Sequence, residues 1–265
     1  MWSMIKRWFG LGDDKPDLNR DGELTNEQAY ELIVKGRGAY KLNCVTVPQE
    51  VKGRTLKAFA AHPKFTAPKT VDLRDYCTQT ENQGSLPYCA AYTAVGFAEN
   101  VMWRRDDYIT QIDPVPIYKR AKQIDGDPTG EGTSLTAVLQ VLLEKRYFDP
   151  NYCGIQVIYD SGDFESSIKY AIHKFGCCLL ACDITEEWYL CGPKKTAITG
   201  KSYTKSIGGH AILCCGYNRD GVIIHNSWGE EWGAYGYALI TWEALRKQFL
   251  YAAVLTNCLN NLKLN

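Results

Sequence analysis

Four short apolar runs in the second half of the chain constrain its fold more than any other feature. They are GCCLLACDI (176–184), GHAILCCGY (209–217), GVIIHNSW (221–228) and AYGYALI (234–240). Each is apolar or alternating and is bounded by Gly, Asn or Asp, which is typical of strands in a mostly antiparallel sheet or barrel. Helical patterns dominate the part ahead of them. This order predicts an α+β protein with a helical lobe and a β lobe, and a site in the cleft between them.

Three helices are predicted between residue 68 and these strands, in addition to one around Thr25 to Val34. The segment from Cys89 to Trp103, CAAYTAVGFAENVMW, has the length and composition of a largely buried helix. The others are predicted near Ser134 to Glu144 and Phe164 to Phe175. A loop with Gly84 precedes the first helix, so Cys89 is predicted at a helix N-terminus. Unpaired N–H groups and the helix dipole favour a thiolate there, although a plain buried cysteine is an alternative of equal weight.

Composition excludes several classes of protein. The 265 residues are 45% hydrophobic and 12% aromatic, which excludes disorder as the main state, and 30 basic residues balance 30 acidic ones. This balance gives no electrostatic reason to expect nucleic acid or an anionic membrane as a partner. No apolar run approaches the roughly 18 residues of a membrane span, and no signal peptide is expected at the N-terminus.

The cysteine content predicts a compartment. The chain has 11 cysteines and no CxxC pair. Several lie in the strand-like runs, so they are interpreted as small core hydrophobes kept reduced, in preference to a disulfide framework. The cytoplasm or another reducing compartment is therefore expected.

Domain organisation is predicted from a change near residue 68. Residues 1–68 are polar and loosely patterned and are predicted to be an extension that packs against the rest of the chain. Residues 69–265 are predicted to form the main domain, with the helical lobe at about 69–165 and the β lobe at about 166–258.

Part of the extension resembles a calcium-binding loop. Asp17, Asn19 and Asp21 are spaced as ligands, and Gly22 occupies the sixth position. The match fails at the twelfth position, where Gln28 replaces the bidentate Glu. A turn followed by a helix cap explains the same residues. The predicted metal and cofactor content is therefore none, with weak calcium binding by the loop from Asp17 to Gln28 as the alternative.

A cysteine nucleophile needs a base and a group that orients the base. Of the four histidines, His62 and His173 are predicted on the surface. His225 precedes Asn226 in an alternating strand, so if Asn226 faces the site, His225 faces away from it. His210 opens a strand after a pair of glycines, and Asn226 ends the next strand. Hairpin neighbours would bring the side chains of His210 and Asn226 together.

At these residues the chain resembles the papain-like cysteine peptidases. NQGSLPYCAAY (82–92) resembles the family's N-Q-G-S-C-G-S-C-W-A-F around the nucleophile, and VDLRDY (71–76) resembles its mature N-terminus. GGHAILCCGYN (208–218) resembles the histidine strand, and HNSWGEEWGAYGYALI (225–240) resembles the asparagine strand closely. The resemblance extends from about residue 71 to residue 256.

The resemblance implies a role for each matching residue. Cys89 is the implied nucleophile, His210 the general base and then acid, and Asn226 the residue that orients the imidazole. Gln83 and the Cys89 backbone N–H are the implied donors to the oxyanion. Trp228 would shield the hydrogen bond between His210 and Asn226 from water.

The resemblance also implies where peptide binds. The backbone of Gly130, Gly132 and Thr133 would pair with an extended substrate, with Gly209 and Trp228 as further substrate contacts. The sequence departs from the family at two matching places: Leu86 replaces a cysteine that forms a disulfide in much of the family, and the segment 126–134 lacks the partner cysteine.

Three functions remain open from the sequence. The leading hypothesis is a cysteine endopeptidase that cleaves polypeptide substrates through a thioester acyl-enzyme and is inhibited by its own residues 1–68. The resemblance implies that residues 1–68 are a propeptide-like extension of the catalytic domain 69–265, and a permanent structural extension is the alternative. An acyltransferase or deamidase could use the same Cys, His and Asn, because an amine can resolve the thioester as water does. A non-enzymatic binding module on the same fold is disfavoured because every catalytic position is filled.

Overall fold

The computed structural model describes residues 42, 44, 50, 51, 54–160, 162–201 and 205–259. The calcium-like loop from Asp17 to Gln28 and the helix predicted after it lie outside these ranges. Within the described ranges, no helix combines the length and apolar character needed to cross a bilayer.

The helical lobe contains three helices. They are α1 (Cys89–Asp106), α2 (Pro114–Asp125) and α3 (Leu135–Glu144). The Ser134 side chain caps α3 by accepting from the Ala137 N–H at 3.2 Å. α2 was not predicted, although Asp113 caps its first turn and Pro114 occupies the first helical position, where its missing N–H costs nothing.

The strands form one large sheet and one small hairpin. The hairpin pairs β1 (Glu50–Val51) with β2 (Arg54–Thr55). The large sheet has the order β3-β5-β11-β6-β8-β9-β10-β7, and β4 pairs with β8 in addition. Its strands are β3 (Lys57–Ala58), β4 (Val71–Asp72), β5 (Gly154–Tyr159), β6 (Cys178–Ile184), β7 (Ala197–Ile198), β8 (Gly208–Tyr217), β9 (Gly221–His225), β10 (Tyr237–Thr241) and β11 (Phe249–Thr256).

Two more helices accompany this sheet, α4 (Phe164–Phe175) and α5 (Trp242–Gln248). The sheet is mostly antiparallel, as predicted, because β5, β11, β6, β8, β9 and β10 pair antiparallel in succession. The two outermost pairings, β3 with β5 and β7 with β10, are parallel.

The two lobes pack together along β8. A Cβ built on Gly96 of α1 would lie 3.5 Å from the Leu213 side chain of β8, so a helix of one lobe lies directly on a strand of the other. Cys178, Cys182 and Cys214 are fully buried in this central region. Their burial agrees with the interpretation of the strand cysteines as core side chains.

Residues ahead of position 68 pack against the β lobe. β3 extends the sheet edge, and Phe59, which follows it, is buried. Its ring stacks on Tyr170 at 5.7 Å and meets Phe175 edge-on at 5.9 Å. This end of the extension is therefore fastened to the β lobe by backbone pairing and aromatic contacts.

Candidate active site

Cys89 is the first residue of α1, at the N-terminus that the sequence predicted. A turn precedes it, closed by the Leu86 N–H donating to the Gln83 carbonyl at 3.1 Å. Tyr88, at the N-cap position, gives no side-chain cap. The first N–H groups of the helix lack intrahelical partners, so the position favours a negative charge on the sulfur. Cys89 is fully buried.

His210 and Asn226 lie on adjacent strands and are hydrogen-bonded. The distance from His210 Nε2 to Asn226 Oδ1 is 2.8 Å. The Ser227 backbone N–H donates to the same Oδ1 at 2.9 Å, which identifies that atom as the oxygen. Nε2 therefore carries the proton. Nδ1, the other ring nitrogen, is buried and has no hydrogen-bond partner among the described residues, so its lone pair is available to accept a proton.

Burial controls the protonation of His210. It lowers the pKa of the imidazole to about 4, while the hydrogen bond to Asn226 acts in the opposite direction. While it is buried in this way, the ring is neutral at pH 7. A neutral imidazole is the form that can act as a general base.

Aromatic rings surround the hydrogen bond between His210 and Asn226. The Trp228 ring lies 4.8 Å from the His210 ring, and Tyr189 stacks on Trp228 at 4.9 Å. Trp188 meets His210 edge-on at 6.1 Å. Trp228 occupies the position that the resemblance implied for a shield. Trp188 and Tyr189 were missed, because the connection after β6 carries no motif that marks them.

Gln83 is fixed beside Asn226 by the residue that follows Asn226. Ser227 donates its hydroxyl to Gln83 Oε1 at 2.7 Å, and the Gln83 N–H donates to the Ser227 carbonyl at 2.8 Å. Gln83 Nε2 donates to the Leu86 carbonyl at 2.9 Å. The Ser227 bond orients the amide nitrogen toward the turn before Cys89. An amide nitrogen carries two N–H groups, and the Leu86 carbonyl accepts from one of them.

Cys44 of the extension lies between the two lobes. Its N–H donates to the Gly209 carbonyl at 2.9 Å, and its backbone pairs in parallel with Thr133. Its sulfur is 3.9 Å from the Tyr251 hydroxyl. Burial, followed by the Cys89 sulfur, raises the pKa of the Cys44 thiol. Cys44 therefore bridges two of the predicted substrate positions, Thr133 and Gly209, within electrostatic range of the predicted nucleophile.

Two more of the predicted substrate positions, Gly130 and Gly132, have backbone N–H groups that are bonded to nearby side chains. The Gly130 N–H donates to Asp127 Oδ1 at 2.9 Å, and the Gly132 N–H donates to the Tyr118 hydroxyl at 3.0 Å. The structure thus brings Thr133 and Gly209 together around Cys44. The N–H groups of Gly130 and Gly132 are already hydrogen-bonded to neighbouring side chains.

The remaining histidines lie away from this constellation. His62 and His173 are exposed, as predicted. The His225 ring stacks on Tyr237 at 4.3 Å, and its Nε2 is 2.7 Å from Thr80 Oγ1. In the part of the chain that the structure describes, no group of three or more His, Cys, Asp or Glu side chains is arranged to hold a metal ion.

Comparisons with known proteins find similarity to cysteine proteases. Residues 149–249 match the family described as papain family cysteine protease, a range that contains His210 and Asn226 and begins after Cys89. Procathepsin L of Felis catus is 23% identical over 265 residues, a match that covers 83% of this chain and 71% of the relative.

Solved structures show the same architecture. Digestive procathepsin L 3 of the Tenebrio molitor larval midgut has a TM-score of 0.61 at 16% identity, covering 96% of this chain and 97% of that one. Xylellain, a cysteine protease from Xylella fastidiosa, has a TM-score of 0.61 at 18% identity, covering 82% and 96%. The predicted papain-like α+β fold is confirmed, and the family match over residues 149–249 and the procathepsin L relative support the resemblance to papain-like cysteine peptidases. Its relatives support a cysteine protease hydrolase.

Proposed function

We propose that the chain is a cysteine endopeptidase that cleaves polypeptides through a thioester intermediate and is made as a self-inhibited precursor. One observation carries the catalytic part. His210 is oriented by Asn226 through a 2.8 Å hydrogen bond, and its Nδ1 is left as a buried base without a hydrogen-bond partner among the described residues. Cys89, at the N-terminus of α1, supplies the thiol.

The proposed reaction uses each of these groups in turn. His210 Nδ1 takes the thiol proton, and the Cys89 sulfur attacks the substrate carbonyl carbon. The resulting oxyanion accepts hydrogen bonds from the Cys89 N–H and the Gln83 amide. The carbon–nitrogen bond then breaks as His210 returns the proton to the leaving amine. Water, deprotonated by His210, hydrolyses the thioester and restores the thiol.

The position of Cys44 supports the precursor part. Its backbone hydrogen-bonds to Gly209 and pairs with Thr133, two positions that the resemblance assigns to substrate. A polypeptide substrate and the extension would compete for the same backbone groups. The extension must therefore leave before substrate binds, and we propose a cut near Ala67 to Thr70. This stretch is largely exposed, which suits proteolysis.

Incubation of the full-length chain with an unfolded protein substrate tests both parts. Cleavage of substrate should begin only as the chain itself shortens, and Cys89→Ala should neither shorten nor cleave. Cys153→Ser is the matched control, because Cys153 is partly exposed and distant from the site in sequence. Cys153→Ser should behave as the unchanged protein does.

Product analysis separates the candidate activities. New α-amino termini in the substrate support a peptidase. Incorporation of an added primary amine without chain cleavage identifies an acyltransferase instead. Activity that survives Cys89→Ala would rule out Cys89 as the nucleophile of either a peptidase or an acyltransferase. Full activity of the uncut chain would rule out a self-inhibited precursor.

A further inference from the structure

Three cysteines meet outside the candidate active site. Cys77 follows the turn at Arg74–Tyr76, Cys177 immediately precedes β6, and Cys215 lies on β8. The Cys77 sulfur lies 3.6 Å from the Leu73 carbonyl oxygen, and its thiol interacts with those of Cys177 and Cys215. The backbones are also connected, because the Leu73 N–H donates to the Cys215 carbonyl at 2.9 Å.

The three thiols differ in their access to solvent. Cys177 and Cys215 are fully buried, whereas Cys77 is partly exposed. Cys77 lines a surface cavity of about 440 Å³, whose wall also includes Gln79, Trp103 and the exposed Ile109. A small reagent in the cavity can therefore approach Cys77, with its two buried neighbours behind it.

The surroundings select Cys77 as the thiol that ionises. Hydrogen bonding with Cys177 and Cys215, then with His225, lowers its pKa, against the effect of burial. Asn100 Nδ2 donates to its sulfur at 3.6 Å. Burial raises the pKa of Cys177, and the bond with Cys77, followed by burial, raises that of Cys215. In its thiol form Cys77 donates to the Leu73 carbonyl at 3.6 Å. The surroundings thus favour ionisation of the accessible Cys77 over ionisation of its two buried neighbours.

We propose that Cys77 is a peroxide-reactive cysteine, which Cys177 or Cys215 resolves into an internal disulfide. This proposal does not depend on the proposed peptidase activity. The chemistry follows from the arrangement of one accessible sulfur in contact with two buried ones.

The proposed step balances with a hydroperoxide as the oxidant. The Cys77 thiolate attacks the terminal peroxide oxygen, the O–O bond breaks, and hydroxide leaves, which gives a sulfenic acid. The neighbouring thiol sulfur then attacks the Cys77 sulfur, the S–S bond forms, and the oxygen leaves as water with the thiol proton. Two thiols lose one electron each, and hydrogen peroxide is reduced to two waters.

The disulfide would join segments that carry candidate active-site groups. The chain from Cys77 leads within a few residues to Gln83, and β8 carries both Cys215 and His210. Oxidation would fix one of these segments to the sheet. A covalent link between residues far apart in sequence also restricts the unfolded chain.

Oxidation of the full-length Cys89→Ala chain tests the proposal without interference from the candidate nucleophile. The protein is treated with one equivalent of hydrogen peroxide, its remaining thiols are alkylated, and the peptides are mapped by mass. We expect a peptide pair that joins Cys77 to Cys177 or Cys215, and a rise in melting temperature that a reductant reverses. Brief treatment with a sulfenic-acid trap should label Cys77.

Cys153 provides the internal control, because it is the other partly exposed cysteine and burial raises its pKa. Cys77 should oxidise about tenfold faster than Cys153 or more. Cys77→Ser should abolish the linkage, and Cys153→Ser should leave it intact. Three results would overturn the proposal: Cys77 stays reduced, Cys153 oxidises as fast, or Cys77 is oxidised without a link to either neighbour. These readouts come from the unmodified cluster, so they hold even if Cys77→Ser folds poorly.

Discussion

Gly209→Ala should loosen the extension from the cleft. A Cβ at Gly209 would lie 2.6 Å from the Cys44 carbonyl oxygen and 3.7 Å from the Cys44 Cβ. The first distance is too short, so the Cys44 backbone must shift and its 2.9 Å hydrogen bond to the Gly209 carbonyl must weaken. One such bond contributes about 0.5 to 1.5 kcal/mol. Its loss should raise the population with an open cleft by about 2-fold to about 10-fold.

Alkylation of Cys89 in the full-length chain measures this population. An epoxide that reacts with active thiols is used at low concentration, so that the labelling rate follows the fraction of open molecules. The rate of Cys89 alkylation in the Gly209→Ala chain should be about 2-fold to about 10-fold higher than in the unchanged chain. Mass mapping assigns the label to Cys89.

Gly96→Ala is the matched control. Gly96 lies on α1, the helix that begins at Cys89, and an added Cβ would meet only the Leu213 side chain, at 3.5 Å. Its labelling rate should equal that of the unchanged chain. An unchanged rate in Gly209→Ala would show that the contact at Cys44 does not hold the cleft closed, and a similar increase in both variants would point to a general loosening of the fold.

Three further predictions concern the site and its surroundings. Gln83→Ala should lower turnover by about 100-fold to about 1,000-fold while circular dichroism stays unchanged, because one oxyanion donor is lost; full turnover removes Gln83 from the site. Asn226→Ala leaves the His210 Nε2–H buried without an acceptor, so thermal unfolding should show a loss of about 1 to 3 kcal/mol, and an unchanged melting temperature contradicts the bond. Burial and then Glu99 raise the pKa of Glu81 from 4.5 to about 7, so stability from its protonated form is present below pH 4.5 and is lost as the pH rises through about 7. Glu81→Gln should flatten this part of the melting profile, and an unaltered slope would contradict the shift.

Local patterns were sufficient for several elements of the fold. The helix Phe164–Phe175 has the predicted bounds. Cys89 is the first residue of its helix, as the loop with Gly84 before it indicated. The α2 helix was missed because two prolines in its first turn resemble a loop, although Asp113 caps it. The short α5 helix was missed as well, since its seven residues give too few turns for a periodic pattern.

Contacts between distant residues were beyond local patterns. The sulfur of Cys44 and the hydroxyl of Tyr251 meet across 207 positions, and no spacing in the sequence signals it. Gln83 and Ser227 meet across 144 positions, and only the family resemblance indicated that Gln83 belongs near Asn226. Such contacts depend on how the strands pair.

The closed cleft affects the charge of the candidate catalytic pair as well as access to it. Burial excludes the water that would stabilise an imidazolium, and this exclusion lowers the pKa of His210 to about 4. Cys44 contributes to that exclusion, because its backbone lies on Gly209, directly before His210. When the extension leaves, water returns to the cleft, and the pKa of His210 should rise toward its usual range. The thiol proton can then pass to the imidazole with less cost. We infer that the extension restrains the site twice, by occupying the backbone groups that would bind substrate and by making His210 a weaker base for the Cys89 thiol.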